Sequence, residues 1–299
     1  MAGSVKPILY ALFANLSIAL AKGAAALLTG SGAMLAEAIH SVADSGNQLL
    51  LLLGLRQARR PPTPEYPLGF GKSVFFWSFL VAVMLFSLGG MFSLYEGARK
   101  LAHPEPLARP WIAVAVLVFA IVAESVSLWR CLVEIGRERH GRSLGRWFRE
   151  SRSSELLVVF GEDVAALLGL MVALAAVAAA VLTGDPLYDA WGTIMIGALL
   201  LVVAWFVAVE VKALLIGQSV EPHLLEEMRG FLGQRPEIAK TYSLLTMQLG
   251  HDAMVAVKAR MAPTGSEAGL VDAINRVEHD FRERFPTVAW LFFEPDNAD

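Results

Sequence analysis

A helical membrane protein with six spans, followed by a small α+β domain, is the fold this chain predicts. Three observations carry the prediction. Apolar runs of spanning length recur six times, basic residues crowd into particular connections, and both features stop after residue 216. The 299 residues are 56% hydrophobic and only 18% charged, too apolar for an ordinary soluble domain.

The first apolar run begins near Pro7 with no long basic leader and no evident cleavage site, so it reads as a retained helix. A span needs ~20 apolar residues. Six segments qualify, near 7–29, 33–55, 73–98, 111–133, 154–182 and 187–215. The connection 56–72 carries Arg56, Arg59, Arg60 and Lys72, and 134–153 carries Arg137, Arg139, Arg142, Arg146 and Arg149. The links near 30–32 and 183–186 carry no basic residue, and the link near 99–110 carries Arg99, Lys100 and Arg109. Cytoplasmic loops hold the excess of Lys and Arg, so both termini are expected in the cytoplasm.

Residues 1–216 thus read as the transmembrane domain and 217–299 as a cytoplasmic domain. In the latter, Glu221–Gln234 looks like an amphipathic helix, Thr241–Leu249 and Ala253–Met261 like strands, and Gly250-His-Asp252 like the turn between them. Ser266–Arg284 repeats apolar residues at helical spacing, and Val288–Phe293 is a last short strand. The order is αββαβ. A domain this small carries little core of its own, so self-association is expected.

Function is read from polar groups in the apolar spans. Glu162 and Asp163 stand side by side in the fifth segment, and a carboxylate at mid-bilayer costs roughly 2.5–3.5 kcal/mol. His40 and Asp44 lie one helical turn apart in the second, on one face. At ~1.5 Å rise per residue, Asp44, Asp163, Glu124 and Asn15 all fall at roughly 12–16 Å from the cytoplasmic end. Segments one, two, four and five therefore surround a hydrophilic site, while the uncharged cores of three and six pack elsewhere. Imidazole and carboxylate together are what a divalent cation pathway needs. Asn15 also fits an interhelical hydrogen bond, Glu124 a buried acid or proton carrier, and Glu37 an outer cation attractor.

These residues resemble the cation diffusion facilitator family. Its second helix carries His/Asp-x-x-x-Asp, matched by His40 and Asp44, and its soluble domain ends in residues similar to Leu291-Phe-Phe-Glu-Pro-Asp296. The resemblance implies six helices, a ferredoxin-like cytoplasmic domain, a homodimer, and exchange of Zn²⁺ or similar ions for protons by alternating access. The fifth helix usually carries His-x-x-x-Asp. Here Val159 takes the histidine's place if Asp163 is that Asp, and Glu162 can serve the same face. Asn47-Gln48, Gly161-Glu-Asp163, Tyr95-Glu-Gly97 and His103-Pro104 look most like the branch containing mitochondrial zinc transporter nine, where an acidic pair replaces the histidine motif.

The expected ligands are thus His40, Asp44, Glu162 and Asp163, with Asn15, Glu37, Asn47 and Glu124 as outer-sphere or proton-pathway residues. Such a set suits tetrahedral coordination. Ligation needs neutral imidazole and ionised carboxylates, so metal displaces protons. Zn²⁺ leads as substrate by the family comparison; an oxygen-rich site also admits Mn²⁺, Fe²⁺ or Co²⁺. No organic cofactor is expected. The single Cys131 excludes a thiolate-rich centre. In the soluble domain only the His251–Asp252 turn clusters two ligand types, and a solvated turn explains it as well. Two rival readings are a non-transporting metal sensor or scaffold and a proton-coupled exporter of organic cations. An enzyme is not expected: the sequence offers no nucleophile–base pair and no phosphate loop. Anionic lipid, not nucleic acid, is the partner for the basic loops, and a bacterial plasma membrane is the expected location.

Overall fold

The computed structural model describes residues 2–29, 32–104 and 110–298, with side chains for all but 2–4, 26, 28–29, 32–37 and 39–40. Long helices dominate: α1 (Ala2–Thr29), α2 (Gly32–Ala58), α3 (Ser73–Met84) continuing through a π-helical turn, Leu85–Met91, into α4 (Phe92–Ala102), α5 (Pro110–Glu138), α7 (Ser154–Thr183) and α8 (Leu187–Ile216). Val5–Ala25, Ser73–Ala102, Pro110–Glu138, Ser154–Thr183 and Leu187–Ile216 are each long and apolar enough to cross a membrane. α2, at 27 residues, is the sixth long helix and packs between α1 and α3. Gly184 stops α7 with φ 72°, its N–H bonding the Ala180 carbonyl at 2.9 Å.

α1 packs on α2 and α5, and α5 on α7, while α3, the π turn and α4 pack on α8. Small residues set that second contact. A Cβ on Gly197 would sit 2.8 Å from the Leu94 nitrogen and 3.0 Å from the Gly90 oxygen, so the α8 backbone touches the third span directly. The π turn was not foreseen. It falls at Gly89–Gly90, where two helix-weakening residues meet this close approach.

The connection between α5 and α7 holds a further unforeseen helix, α6 (Leu144–Glu150), capped by Ser143, whose side chain accepts from the Arg146 N–H. α6 drives Trp147, fully buried, edge-on against Phe160 at 5.9 Å.

Beyond α8 come α9 (Pro222–Gly233), β1 (Ile238–Leu249), β2 (Asp252–Met261), α10 (Glu267–Arg284) and β3 (Val288–Pro295), the αββαβ order read from the sequence. β1 and β2 are antiparallel across Gly250–His251, and β3 returns parallel to β2 through α10. Ser266 caps α10 by accepting from the Gly269 N–H at 3.1 Å. Met228, Leu232, Val255, Val257, Val277 and Phe281 form the core between the helices and one sheet face. The other face is open, with Leu245 and Phe292 more than half exposed on either side of Ala256 in register.

This domain is fastened to the end of the bundle where the arginine-rich connections lie. Arg152 Nε donates to the Ser219 carbonyl at 2.7 Å and Arg142 pairs with Glu221 at 2.8 Å, while inside the domain the Gln248 N–H bonds the Gln218 carbonyl at 2.9 Å. Gly71, before α3, meets the β1–β2 turn backbone to backbone: a Cβ there would overlap the Leu249 carbonyl.

Candidate metal centre

Glu162 and Asp163 sit in the buried stretch of α7 and are 5% and 1% exposed. Adjacent helical residues diverge by about 100°, and here each carboxylate faces a different helix. Glu162 points toward α2, where Asn47 Nδ2 donates to Oε1 at 2.9 Å and Gln48 Nε2 to Oε2 at 2.7 Å. Behind them Asn15 Nδ2, on α1, donates to Gln48 Oε1 at 3.4 Å. Asp163 points toward α5, accepting from Ser127 Oγ at 3.2 and 3.1 Å. Neither carboxylate makes an ion pair among the described residues.

Glu124, on α5, is 2% exposed. Half-buried Asp44 on α2 lies near enough for its charge to act on Glu124 and Glu162, and Glu124 acts on Asp163. Three helices therefore bring four carboxylates into one electrostatic neighbourhood inside the bundle, and α1 adds Asn15 behind Gln48. Such a group in a low-dielectric interior needs protons or a cation to balance it. One acceptor is open as well: among the described residues the buried Asn47 Oδ1 has no hydrogen-bond partner.

His40 and Glu37 belong to α2, but their side chains lie outside the described residues. Asp44, Glu162 and Asp163 are neighbours without being a closed ligand set. Among the described residues the only triplet with all ligand atoms within 4.8 Å is His279, Asp280 and Glu283. That cluster is a surface feature of α10, with Asp280 paired to Arg235 at 2.7 Å. His251 and Asp252 are exposed at the β1–β2 turn, with Gln248 Nε2 donating to the Asp252 carbonyl at 3.3 Å.

Sequence reasoning missed several groups. Lys22 is buried in α1 and donates to Ser41 Oγ at 3.0 Å, and its charge acts on Glu124. Gln48, noted in the sequence only as part of a family signature, and Ser127 hold the two key carboxylates. A signal for Ser127 was present: Glu124, Ser127, Cys131, Glu134 and Glu138 recur every three or four residues along α5. All but Glu138 are buried, and Glu138 is half-buried. The stripe runs from the acidic cluster to the end of α5 that leads into the arginine-rich connection. Trp191 and Trp205 are exposed on the outside of α8, and Trp77 bonds Gln57 at 2.9 Å, so none of the three lines the acidic cluster.

A helical bundle with a buried acidic centre and an α+β domain at its arginine-rich end defines a class of membrane transporters. Residues 8–216 match the model of the cation efflux transmembrane domain, and the chain belongs to that family, the cation diffusion facilitators. It is 34% identical over 224 residues to the mitochondrial proton-coupled zinc antiporter SLC30A9 of Xenopus laevis, covering 74% of this chain and 40% of that protein. It is 31% identical over 224 residues to metal tolerance protein C4 of Arabidopsis thaliana, covering 74% and 49%. It is 24% identical over 272 residues to the zinc transporter ZitB of Escherichia coli, covering 91% and 82%. The chain thus spans about two fifths of the SLC30A9 relative's length.

Proposed function

We propose that this chain moves divalent cations, Zn²⁺ foremost, out of the cytoplasm in exchange for protons. Residues 1–216 form the transport domain and 217–299 the cytoplasmic domain. The observation that carries this reading is the buried pair Glu162–Asp163, held among the described residues by neutral amides and a hydroxyl, with Asp44 and Glu124 beside it. His40, Asp44, Glu162 and Asp163 are the proposed ligands. Protons occupying the carboxylates hold the charge when metal leaves, and metal arriving from the cytoplasm displaces them. The names of the relatives, zinc antiporter and zinc transporter, favour the same substrate and the same exchange.

Alternating access requires Glu162 to leave Asn47 and Gln48 for the metal and return when it departs. In this reading the two amides are the carboxylate's metal-free partners. Gln48→Ala therefore lowers the KM for Zn²⁺ about tenfold, since a hydrogen bond to a charged group is worth roughly 1.5–3 kcal/mol. Initial rates of Zn²⁺ uptake over a concentration series measure it; a raised KM would make Gln48 a support of the bound state. Glu162→His replaces a hard oxygen by nitrogen and shifts preference toward Zn²⁺ over Mn²⁺. An unchanged metal ranking would count against oxygen number as the selectivity device.

The open sheet face with Leu245 and Phe292 suits a second copy of the chain, giving a homodimer. Both termini are cytoplasmic in this reading, because the domain at the C-terminal end meets the two most arginine-rich connections, 134–153 through Arg142 and Arg152 and 56–72 through Gly71 and Lys72. The location is a bacterial plasma membrane. The deciding experiment is Zn²⁺ flux into sealed proteoliposomes under an imposed pH gradient. Gradient-dependent flux is expected. No flux with Zn²⁺, Mn²⁺ or Co²⁺ would overturn the reading in favour of a metal sensor or scaffold.

A further inference from the structure

Of the six histidines, His140 and His223 belong to segments far apart in sequence, yet their rings stand 5.5 Å apart between centroids. His140 occupies the tight turn between α5 and α6, and His223 the first turn of α9. With metal–nitrogen bonds of about 2.0–2.1 Å and a tetrahedral angle, two imidazoles sharing one ion place their ring centres about 5 Å apart. The observed spacing is within a few tenths of an ångström of that.

The surroundings hold the pair in place. His223 Nδ1 lies 3.2 Å from Glu221 Oε2, leaving Nε2 for a ligand. A carboxylate behind one ring nitrogen is the arrangement that orients a metal-binding histidine. Glu221 is itself gripped by Arg142 at 2.8 Å, and Arg142 Nε and Nη2 donate to the carbonyls of Arg139 and Glu138 at 2.9 and 3.1 Å. One guanidinium thus ties the His140 turn to the carboxylate that orients His223. His140 has φ 46°, and among the described residues it is the only non-glycine in that left-handed region. A histidine held in a conformation that ordinarily favours glycine marks this turn as constrained by its surroundings. Both rings are exposed to solvent.

An acidic path begins beside them. Glu138 precedes the turn, and the charges of Glu155, Glu221 and Glu134 act on it. Glu155, at the start of α7, is 6% exposed and has no hydrogen bond or ion pair among the described residues. Glu134 and Glu138 continue along α5 to Cys131, which neighbours Asp163.

We propose that His140 and His223 form a docking site for one borderline transition-metal ion, Zn²⁺ or Co²⁺ in preference to Mn²⁺, at the cytoplasmic mouth of the acidic stripe on α5. Water completes the coordination. Nitrogen donors select the metal class, and the weak two-histidine grip releases the ion inward. The direction of that release rests on the transport reading; the binding does not.

The test is Zn²⁺ titration by calorimetry of the full chain in lipid nanodiscs, in an Asp44→Ala/Asp163→Ala background that removes the transport ligands. One Zn²⁺ equivalent is expected to remain. It is lost, or weakened at least tenfold, in both His140→Ala/His223→Ala and His140→Gln/His223→Gln, and kept in the control His279→Ala. Mn²⁺ is expected to leave this equivalent unfilled. An unchanged Zn²⁺ isotherm in folded double-histidine variants, or equal filling by Mn²⁺, overturns the proposal. Failure of wild-type flux with the equivalent present would count against the transport reading and leave the site standing.

Discussion

Asp163→Asn leaves the reconstituted protein folded and stops gradient-driven Zn²⁺ flux, with a fall of more than about 100-fold. Even outer partners of a bound metal cost about 10–100-fold when removed, and this change takes away a proposed ligand's charge. The substitution is nearly isosteric, and asparagine Oδ1 still accepts the bond that Ser127 Oγ donates at 3.1–3.2 Å. Packing around a residue 1% exposed is therefore kept. What is lost is a charge that protons and metal compete for. Ser127→Ala is the milder companion, removing one donor to Asp163 and costing about tenfold. Flux in sealed vesicles, with circular dichroism and gel filtration of the same preparation, measures both. Asp163→Asn flux within a few-fold of wild type would put the ion path elsewhere.

The sequence made the acidic layer legible because burying charge in an apolar span has so few structural explanations. Rise per residue puts Asp44, Glu124 and Asp163 at similar distances from the arginine-rich ends of their helices. Rotation about the helix axis was harder to read. Glu162 and Asp163 share a depth but face α2 and α5 respectively, and only packing between helices decides which neighbour each meets. The αββαβ order was equally legible, from period-two and helical patterns on either side of a Gly-His turn. The π turn and α6 were not. The first arises from contact with Gly197 across the bundle, and the second is seven residues long in a charged connection. No local pattern in the sequence links His140 to His223, because pairing across a long chain is set by the fold, here through Arg142 and Glu221.

Arg152→Met destabilises the protein by about 2–4 kcal/mol, because carbonyls that lose a buried donor each cost roughly 1–3 kcal/mol unless water reaches them. Arg152 is the last basic residue before α7. Its Nε donates to the Ser219 carbonyl at 2.7 Å and its Nη1 to the Glu150 carbonyl at 2.8 Å, with Ser151 and Val220 carbonyls at 3.3 and 3.5 Å. Burial pulls the guanidinium below the ordinary arginine range, while Glu221, Glu210 and Glu150 pull the other way. Methionine fills the volume and carries no donor. Arg152→Lys restores only part of the loss, since one ammonium cannot reproduce the planar fork that serves two chain segments. Thermal unfolding in detergent measures the stability, and hydrogen exchange at residues 217–221 reports whether the linker opens. The effect also reaches transport. Arg152 joins the start of the C-terminal domain to the start of the helix that carries Glu162 and Asp163, so loosening it lowers the flux rate. Zn²⁺ affinity at the buried site stays near wild type, because none of its proposed ligands is touched. Unchanged melting and unchanged exchange would show that water satisfies these carbonyls and that the junction is held by the Arg142–Glu221 pair and the Gly71–Gly250 contact instead.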